Sequence, residues 1–62
     1  MIKWTEFDKT TGQILQSVFG SSVVPPSETS TLGVLTDELG NGAEQYIDPT
    51  TRQLMPLPNP NL

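Results

Sequence analysis

The chain contains neither cysteine nor histidine, and this double absence limits how so short a sequence can stabilise a fold. A chain of 62 residues buries only about 60% of the surface that its unfolded form exposes. Folds of this size usually rely on disulfides, a structural metal or association with another chain. Without thiols or imidazoles, disulfides and the commonest zinc ligands are excluded. The sequence therefore predicts that a protein partner supplies the missing stabilisation.

The charge composition excludes two classes of partner. Three basic residues stand against seven acidic ones, so the formal net charge is −4. Nucleic-acid binding depends on Lys and Arg that neutralise phosphates, and anionic membranes attract the same side chains. No segment has the roughly 18 apolar residues of a membrane span or the basic start of a signal peptide. We expect a protein made in the cytoplasm that binds neither nucleic acid nor membrane.

A nine-residue pattern occurs twice: the first copy reads FDKTTGQIL and the second, 40 residues later, reads IDPTTRQLM. The positions of Asp8 and Asp48 predict an Asx-turn at each site, in which the carboxylate accepts hydrogen bonds from backbone N–H groups further along the chain. Pro49 sets the φ angle that the next turn position requires. Gly12 supplies a left-handed residue before the return strand. Each copy therefore predicts a β-hairpin turn, with these four residues in structural roles.

The second copy departs from the first at one turn position. Arg52 stands where the first copy has Gly12. A residue with a Cβ atom costs about 1–2 kcal/mol in the left-handed region. We therefore expect the second turn to be looser than the first or of another type.

The whole chain predicts one small all-β domain of about five short strands. A helix would place Ile14, Leu15 and Val18 together, but an isolated helix of this length is weak and a strand is favoured. Pro25 and Pro26 exclude a central strand in the middle of the chain. The predicted order is a hairpin over 1–19, a Pro/Ser/Thr-rich linker over 20–33, a short strand and turn over 34–42, a second hairpin over 43–55 and an extended Pro-rich tail over 56–62.

Few side chains could carry chemistry, and structural interpretations account for them. Asp8 and Asp48 could be paired carboxylates in acid–base catalysis, but the two turns explain both. The acidic residues Asp37, Glu38 and Glu44 match no calcium-binding loop. Serine and threonine are abundant, but without histidine only carboxylates or lysines could activate them as nucleophiles. We predict a protein that is not an enzyme and that uses no metal, no cofactor and no small-molecule substrate.

Six large apolar side chains are the candidate contacts with a partner: Trp4, Phe7, Phe19, Tyr46, Met55 and Leu57. Aromatic residues of a small chain can form its own core, and Trp and Tyr are also enriched at binding hot spots. A thin sheet has two faces and only one can be covered internally, so the two interpretations are compatible. The Pro-rich tail is likewise either a frayed terminus or an extended segment that lies in a partner's groove.

The segments FDKTTGQIL and QYIDPTTRQLMPLP, with the Pro-rich middle between them, resemble short proteins encoded in the structural gene clusters of tailed bacteriophages. Some of those are tail-accessory or tail-fibre-assembly proteins. The resemblance implies a virion component that docks in multiple copies onto larger tail, baseplate, fibre or head proteins, with copies of itself as a further partner. Two alternatives stay open: a tail-fibre assembly chaperone that is absent from the finished virion, and a small acidic inhibitor of a host protein.

Overall fold

The computed structural model describes residues 1–58, and within them it contains five β-strands and no helix. The strands are β1 (Ile2–Asp8), β2 (Ile14–Gly20), β3 (Leu32–Thr36), β4 (Gln45–Ile47) and β5 (Leu54–Pro56). They form two antiparallel sheets, a three-stranded sheet in the order β2-β1-β3 and a two-stranded sheet of β4 and β5. The predicted all-β fold of about five short strands is thereby confirmed.

The linker is shorter than the predicted segment 20–33. Gly20 belongs to β2 because it pairs with Ile2 at the start of β1. Leu32 belongs to β3 because it pairs with Asp8 at the end of β1. β1 therefore pairs with β2 over residues 2–7 and with β3 over residues 4–8, and only residues 21–31 connect β2 to β3.

The second hairpin extends one residue into the predicted tail. Pro56 is the last residue of β5 and pairs with Gln45. The N–H of Leu57 donates to the carbonyl of Glu44 at 2.9 Å. Because successive backbone nitrogens of a strand point to opposite sides, the nitrogen of Pro56 points away from β4. A proline is tolerated at such an edge because no ladder hydrogen bond is lost. The remainder of the predicted tail, residues 59–62, lies outside the described residues.

The two copies of the repeat form turns with matching hydrogen bonds. In the first turn, Asp8 Oδ1 accepts hydrogen bonds from the N–H groups of Thr10 at 2.7 Å and Thr11 at 3.3 Å. Around Asp48 the corresponding two distances are 2.8 Å and 3.3 Å. This is the geometry of an Asx-turn at both sites.

Arg52 adopts the left-handed conformation that the first turn assigns to glycine. Its φ is 60°, compared with 81° for Gly12, and its N–H donates to the carbonyl of Asp48 at 2.6 Å. The expectation of a looser or different second turn is therefore wrong. The Arg52 guanidinium pairs with the Glu28 carboxylate and lies 5.6 Å from the centre of the Phe7 ring. These side-chain contacts offset the cost of the left-handed backbone.

The core lies between the three-stranded sheet and the second hairpin. Its buried cluster consists of Phe7, Ile14 and Ile47, with Leu35 and Leu54 packed against it. The Phe7 ring rests on the backbone of Gly33 in β3, where a Cβ atom would lie only 2.3 Å from the ring. Glycine at position 33 therefore provides the space that the ring occupies, and the small cluster reflects the scarcity of large apolar residues.

Thr5 anchors the loop that leads from β3 to β4. The residue is fully buried, and its Oγ1 donates to the carbonyl of Glu38 at 2.7 Å and accepts from the N–H of Gly40 at 2.8 Å. Ser17 Oγ on β2 donates to the carbonyl of Gly40 at 2.7 Å. The loop therefore lies against β1 and β2, and it covers part of the face on which the second hairpin packs.

Candidate functional site

A groove of about 320 Å³ lies where the turn of the first hairpin meets the second hairpin. Its volume is at the lower end of the range of about 300–1,000 Å³ that is usual for ligand sites. The lining residues come from both hairpins and from the segment after β5: Thr11, Gln13, Ile14, Gln45, Tyr46, Leu57 and Pro58. The groove is the candidate docking site of the chain.

A close approach of two backbones joins the hairpins beside the groove. The N–H of Ile47 donates to the carbonyl of Gly12 at 2.9 Å. A Cβ atom at residue 12 would lie only 2.2 Å from the Ile47 carbonyl oxygen and 3.2 Å from Cδ2 of Tyr46. Gly12 therefore has two roles, because it supplies the left-handed turn residue and also permits the contact that brings Tyr46 into the groove.

The other side of the groove depends on the residues that follow β5. The hydrogen bond from the N–H of Leu57 to the carbonyl of Glu44 continues the pairing of the second hairpin. It places Leu57 and Pro58 in the same groove as Tyr46, and the side chains of Tyr46 and Leu57 are half-buried. The wall is thus built by chain that the sequence predicts to be an extended tail.

The groove is apolar and uncharged. None of its lining residues, all of them described, carries a charge at neutral pH. Its polar groups are amides and hydroxyls, of which Gln45 Oε1 accepts the N–H of Asn41 at 3.0 Å and Thr11 Oγ1 accepts the N–H of Gln13 at 3.2 Å. Such a lining suits an apolar side chain with hydrogen bonds at the rim, and it offers no acid–base pair for catalysis.

Comparisons of the chain with protein-family models, with curated proteins and with solved structures find no match. The part of the chain that the structure describes contains no group of three or more acidic, His or Cys side chains arranged to hold a metal ion. Residues 1–58 also include no helix that is long and apolar enough to cross a membrane.

Four of the six predicted partner contacts are accessible. Tyr46 and Leu57 line the groove. Phe19 on β2 is 62% exposed and Met55 on β5 is 37% exposed, and neither contributes to the groove. The predicted contacts therefore divide into one pair at the groove and two residues on other surfaces.

The other two predicted contacts are buried, which corrects their assignment to a partner. Phe7 is 1% exposed at the centre of the core, and Trp4 is 4% exposed. Trp4 lies on the opposite face of β1 from Phe7, and its indole Nε1 donates to Glu6 Oε2 at 2.9 Å. Both rings stabilise the chain itself and are not accessible to a partner in this fold.

Sequence reasoning included Pro58 in the tail segment that could lie in a partner's groove, but it did not assign Thr11, Gln13, Ile14 or Gln45 to a binding surface. Gln13 is identical in the two copies of the repeat, but in the second copy the equivalent residue does not line the groove. The groove forms only because two hairpins that are separated in sequence meet in space. No local pattern carries that information.

Glu28 in the linker connects both hairpin turns to β3. Its carboxylate pairs with Lys9 of the first turn at 3.3 Å and with Arg52 of the second, and it accepts the N–H of Val34 at 2.9 Å. The hydrogen bond from Val34, then the Arg52 contact and then Lys9 lower the pKa of Glu28 from 4.5 to about 2. A carboxylate held so firmly in its charged form is a poor general base, and its role is structural.

We expect acid to weaken the fold as Glu28 becomes protonated. Because the pKa of Glu28 is lower in the folded chain than in the unfolded chain, its contribution is complete above about pH 4.5 and is lost as the pH falls towards about 2. Thermal unfolding followed by circular dichroism across this range measures the effect, and Glu28→Gln should remove most of the pH dependence between these values.

The matched control is Glu38→Gln, since the Glu38 side chain forms no ion pair or hydrogen bond within residues 1–58. This variant should keep the acid sensitivity of the unmodified chain. If Glu28→Gln and Glu38→Gln respond to acid alike, the Glu28 cluster does not stabilise the fold.

Proposed function

We propose that this chain is a non-enzymatic accessory protein of a bacteriophage particle, docked in multiple copies onto a larger tail, baseplate, fibre or head protein. The observation that carries the docking is the uncharged apolar groove between the two hairpins. Tyr46 and Leu57, which the sequence already marks as partner contacts, meet there. The assignment to a bacteriophage particle rests on the resemblance of the two turn segments and of the Pro-rich middle.

The groove favours a partner of particular chemistry. Its lining accepts a large apolar side chain, whereas the whole chain has a net charge of −4 and an exposed Glu44 directly precedes Gln45. Complementary charge at the rim raises the association rate and excludes unsuitable partners. We therefore propose that the occupant is a segment of the larger protein in which a large apolar residue is flanked by Lys or Arg.

Docking onto a partner also supplies stability that the small hydrophobic core of the chain does not provide. Within residues 1–58 the buried cluster has three members, and a partner that binds the folded form alone adds RT ln(1 + [L]/Kd) to stability. Many copies held on a symmetric assembly would each gain this stabilisation. The proposal therefore explains why a chain with so few large apolar residues and no disulfide can serve in a durable particle.

The test is the abundance of the chain in purified particles of the bacteriophage whose genome encodes it, measured by quantitative mass spectrometry. We expect the unmodified chain in a fixed ratio to the larger structural proteins. Leu57→Asp places a charge in the groove and should reduce the bound amount at least about tenfold, because one buried charge costs more than the 1.4 kcal/mol of a tenfold change. Its circular dichroism spectrum should be unchanged.

The matched control is Val24→Asp, which adds the same charge at a linker residue that is 82% exposed and does not line the groove. This variant should be incorporated normally. Equal incorporation of both variants would overturn the groove as the docking site. Absence of the unmodified chain from finished particles, with binding to isolated fibre subunits, would replace the structural role with that of an assembly chaperone.

A further inference from the structure

The three-stranded sheet has two edges, and the edge at β3 is blocked by side chains. Val34, in the middle of β3, donates its N–H to Glu28 Oε2 at 2.9 Å. Its carbonyl accepts a hydrogen bond from Nη2 of Arg52 at 3.4 Å. An incoming strand would have to displace both side chains, so this edge is protected against pairing.

The edge at β2 lacks such contacts from Gln16 to Gly20, whereas the Gly42 backbone lies beside the Ile14 carbonyl at the other end of the strand. Within residues 1–58, no loop or side chain hydrogen-bonds to the backbone of Ile14–Gly20 outside its ladder with β1. The seven residues of β2 include no charged residue and no proline, which are the usual devices that prevent edge pairing. The pairing with β1 is regular from Gln16 to Gly20, and Leu15 is the extra residue of a bulge between Gln16, which pairs with Glu6, and Ile14, which pairs with Phe7.

The unprotected strand also exposes two large apolar side chains. Leu15 is 55% exposed and Phe19 is 62% exposed. They lie two residues on either side of Ser17, which is the central residue of β2. In an antiparallel pair of identical strands centred on Ser17, the residue opposite position 15 is position 19. The strand therefore contains the two halves of an apolar cross-strand pair.

We propose that β2 pairs with β2 of a second copy of this chain, antiparallel about a two-fold axis at Ser17. The two sheets then form one six-stranded sheet. Leu15 of each copy lies opposite the partner's Phe19, which gives two apolar cross-strand pairs, and such pairs are the unit of sheet stabilisation. This inference is independent of the proposed function, because it concerns a different surface and a different partner.

Charge favours a second copy as the occupant although each chain carries −4. The pairing strands are neutral, so no like charges meet at the seam. On the neighbouring strand β1, Lys3 pairs with Phe19 and Glu6 pairs with Gln16. Across the interface, the proposed register places the partner's Leu15 opposite Phe19 and the partner's Val18 opposite Gln16. Neither Lys3 nor Glu6 is therefore aligned with a like charge across the interface.

Sedimentation equilibrium of the isolated chain tests the dimer. We expect a concentration-dependent dimer for the unmodified chain. Phe19→Lys should raise the dimer dissociation constant at least about tenfold, although this substitution lowers the net negative charge. The matched control Val24→Lys makes the same charge change at an exposed residue outside β2 and should leave the dissociation constant unchanged. A monomer at all concentrations up to the millimolar range, or equal effects of the two variants, would overturn the proposal.

A single introduced cysteine tests the register. The chain has no cysteine of its own, so Ser17→Cys places one thiol on each side of the two-fold axis. Directly opposed Cβ atoms in an antiparallel pair lie about 4.5–5.5 Å apart, close enough for a disulfide after a small adjustment. Oxidised glutathione should convert this variant to a covalent dimer, whereas Thr36→Cys on β3 should remain monomeric. Similar cross-linking of both variants would contradict the proposed pairing.

Discussion

Phe7→Ala is expected to remove a large part of the free energy that stabilises the isolated chain at 25 °C. The ring is 1% exposed and lies between the Gly33 backbone and the Arg52 guanidinium. Removing a buried phenylalanine costs about 3–5 kcal/mol. Typical stabilities of about 0.05–0.15 kcal/mol per residue amount to about 3–9 kcal/mol for a chain of this length. Urea unfolding followed by Trp4 fluorescence measures the loss.

The matched control for Phe7→Ala is Phe19→Ala, which removes the same side chain from a position that is 62% exposed. At concentrations where the chain is monomeric, this change should alter the free energy of unfolding by no more than about 0.5 kcal/mol. Comparable losses in the two variants would show that the cluster around Phe7 is not the principal core of the chain.

Gly12→Ala is expected to separate the second hairpin from the first. The new Cβ atom would lie 2.2 Å from the Ile47 carbonyl oxygen, so the two backbones must move apart. The left-handed φ of 81° adds about 1–2 kcal/mol of strain, and the lost hydrogen bond to Ile47 adds about 0.5–1.5 kcal/mol. The free energy of unfolding should therefore fall by about 1.5–3.5 kcal/mol in total.

Amide hydrogen exchange gives the residue-level readout for Gly12→Ala, because the N–H of Ile47 should lose its protection before the β1–β2 ladder does. The control is Thr10→Ala in the same turn, an exposed position whose side chain forms no hydrogen bond within residues 1–58. It should change stability by no more than about 0.5 kcal/mol. Retained protection at Ile47 in Gly12→Ala would contradict the close contact.

The turns could be predicted from the sequence because their signals are local. The side-chain bonds of Asp8 and Asp48 span two or three residues, so the pattern that specifies them is contained in one short segment. The conformation of Arg52 could not be predicted in the same way. Its left-handed backbone is stabilised by Glu28 and Phe7, which lie far from it in sequence.

The candidate site could be predicted only in part for the same reason. Tyr46 is recognisable as an aromatic residue and Leu57 as an apolar residue of the Pro-rich tail, and both line the groove. Trp4 and Phe7 are also large aromatic residues, but they are buried. Which aromatic ring faces inwards depends on the position of the other hairpin and of the loop anchored by Thr5, and that position is determined by tertiary packing.

The hydrogen bond between Ile47 and Gly12 has a kinetic consequence. It joins residues 35 positions apart, whereas each turn closes within a few residues. Isolated hairpins form in about 1–10 μs, but a contact across a long loop must first overcome the entropy of closing that loop. We therefore expect both hairpins to form before the groove does, so that the proposed docking site is completed only at the last step of folding.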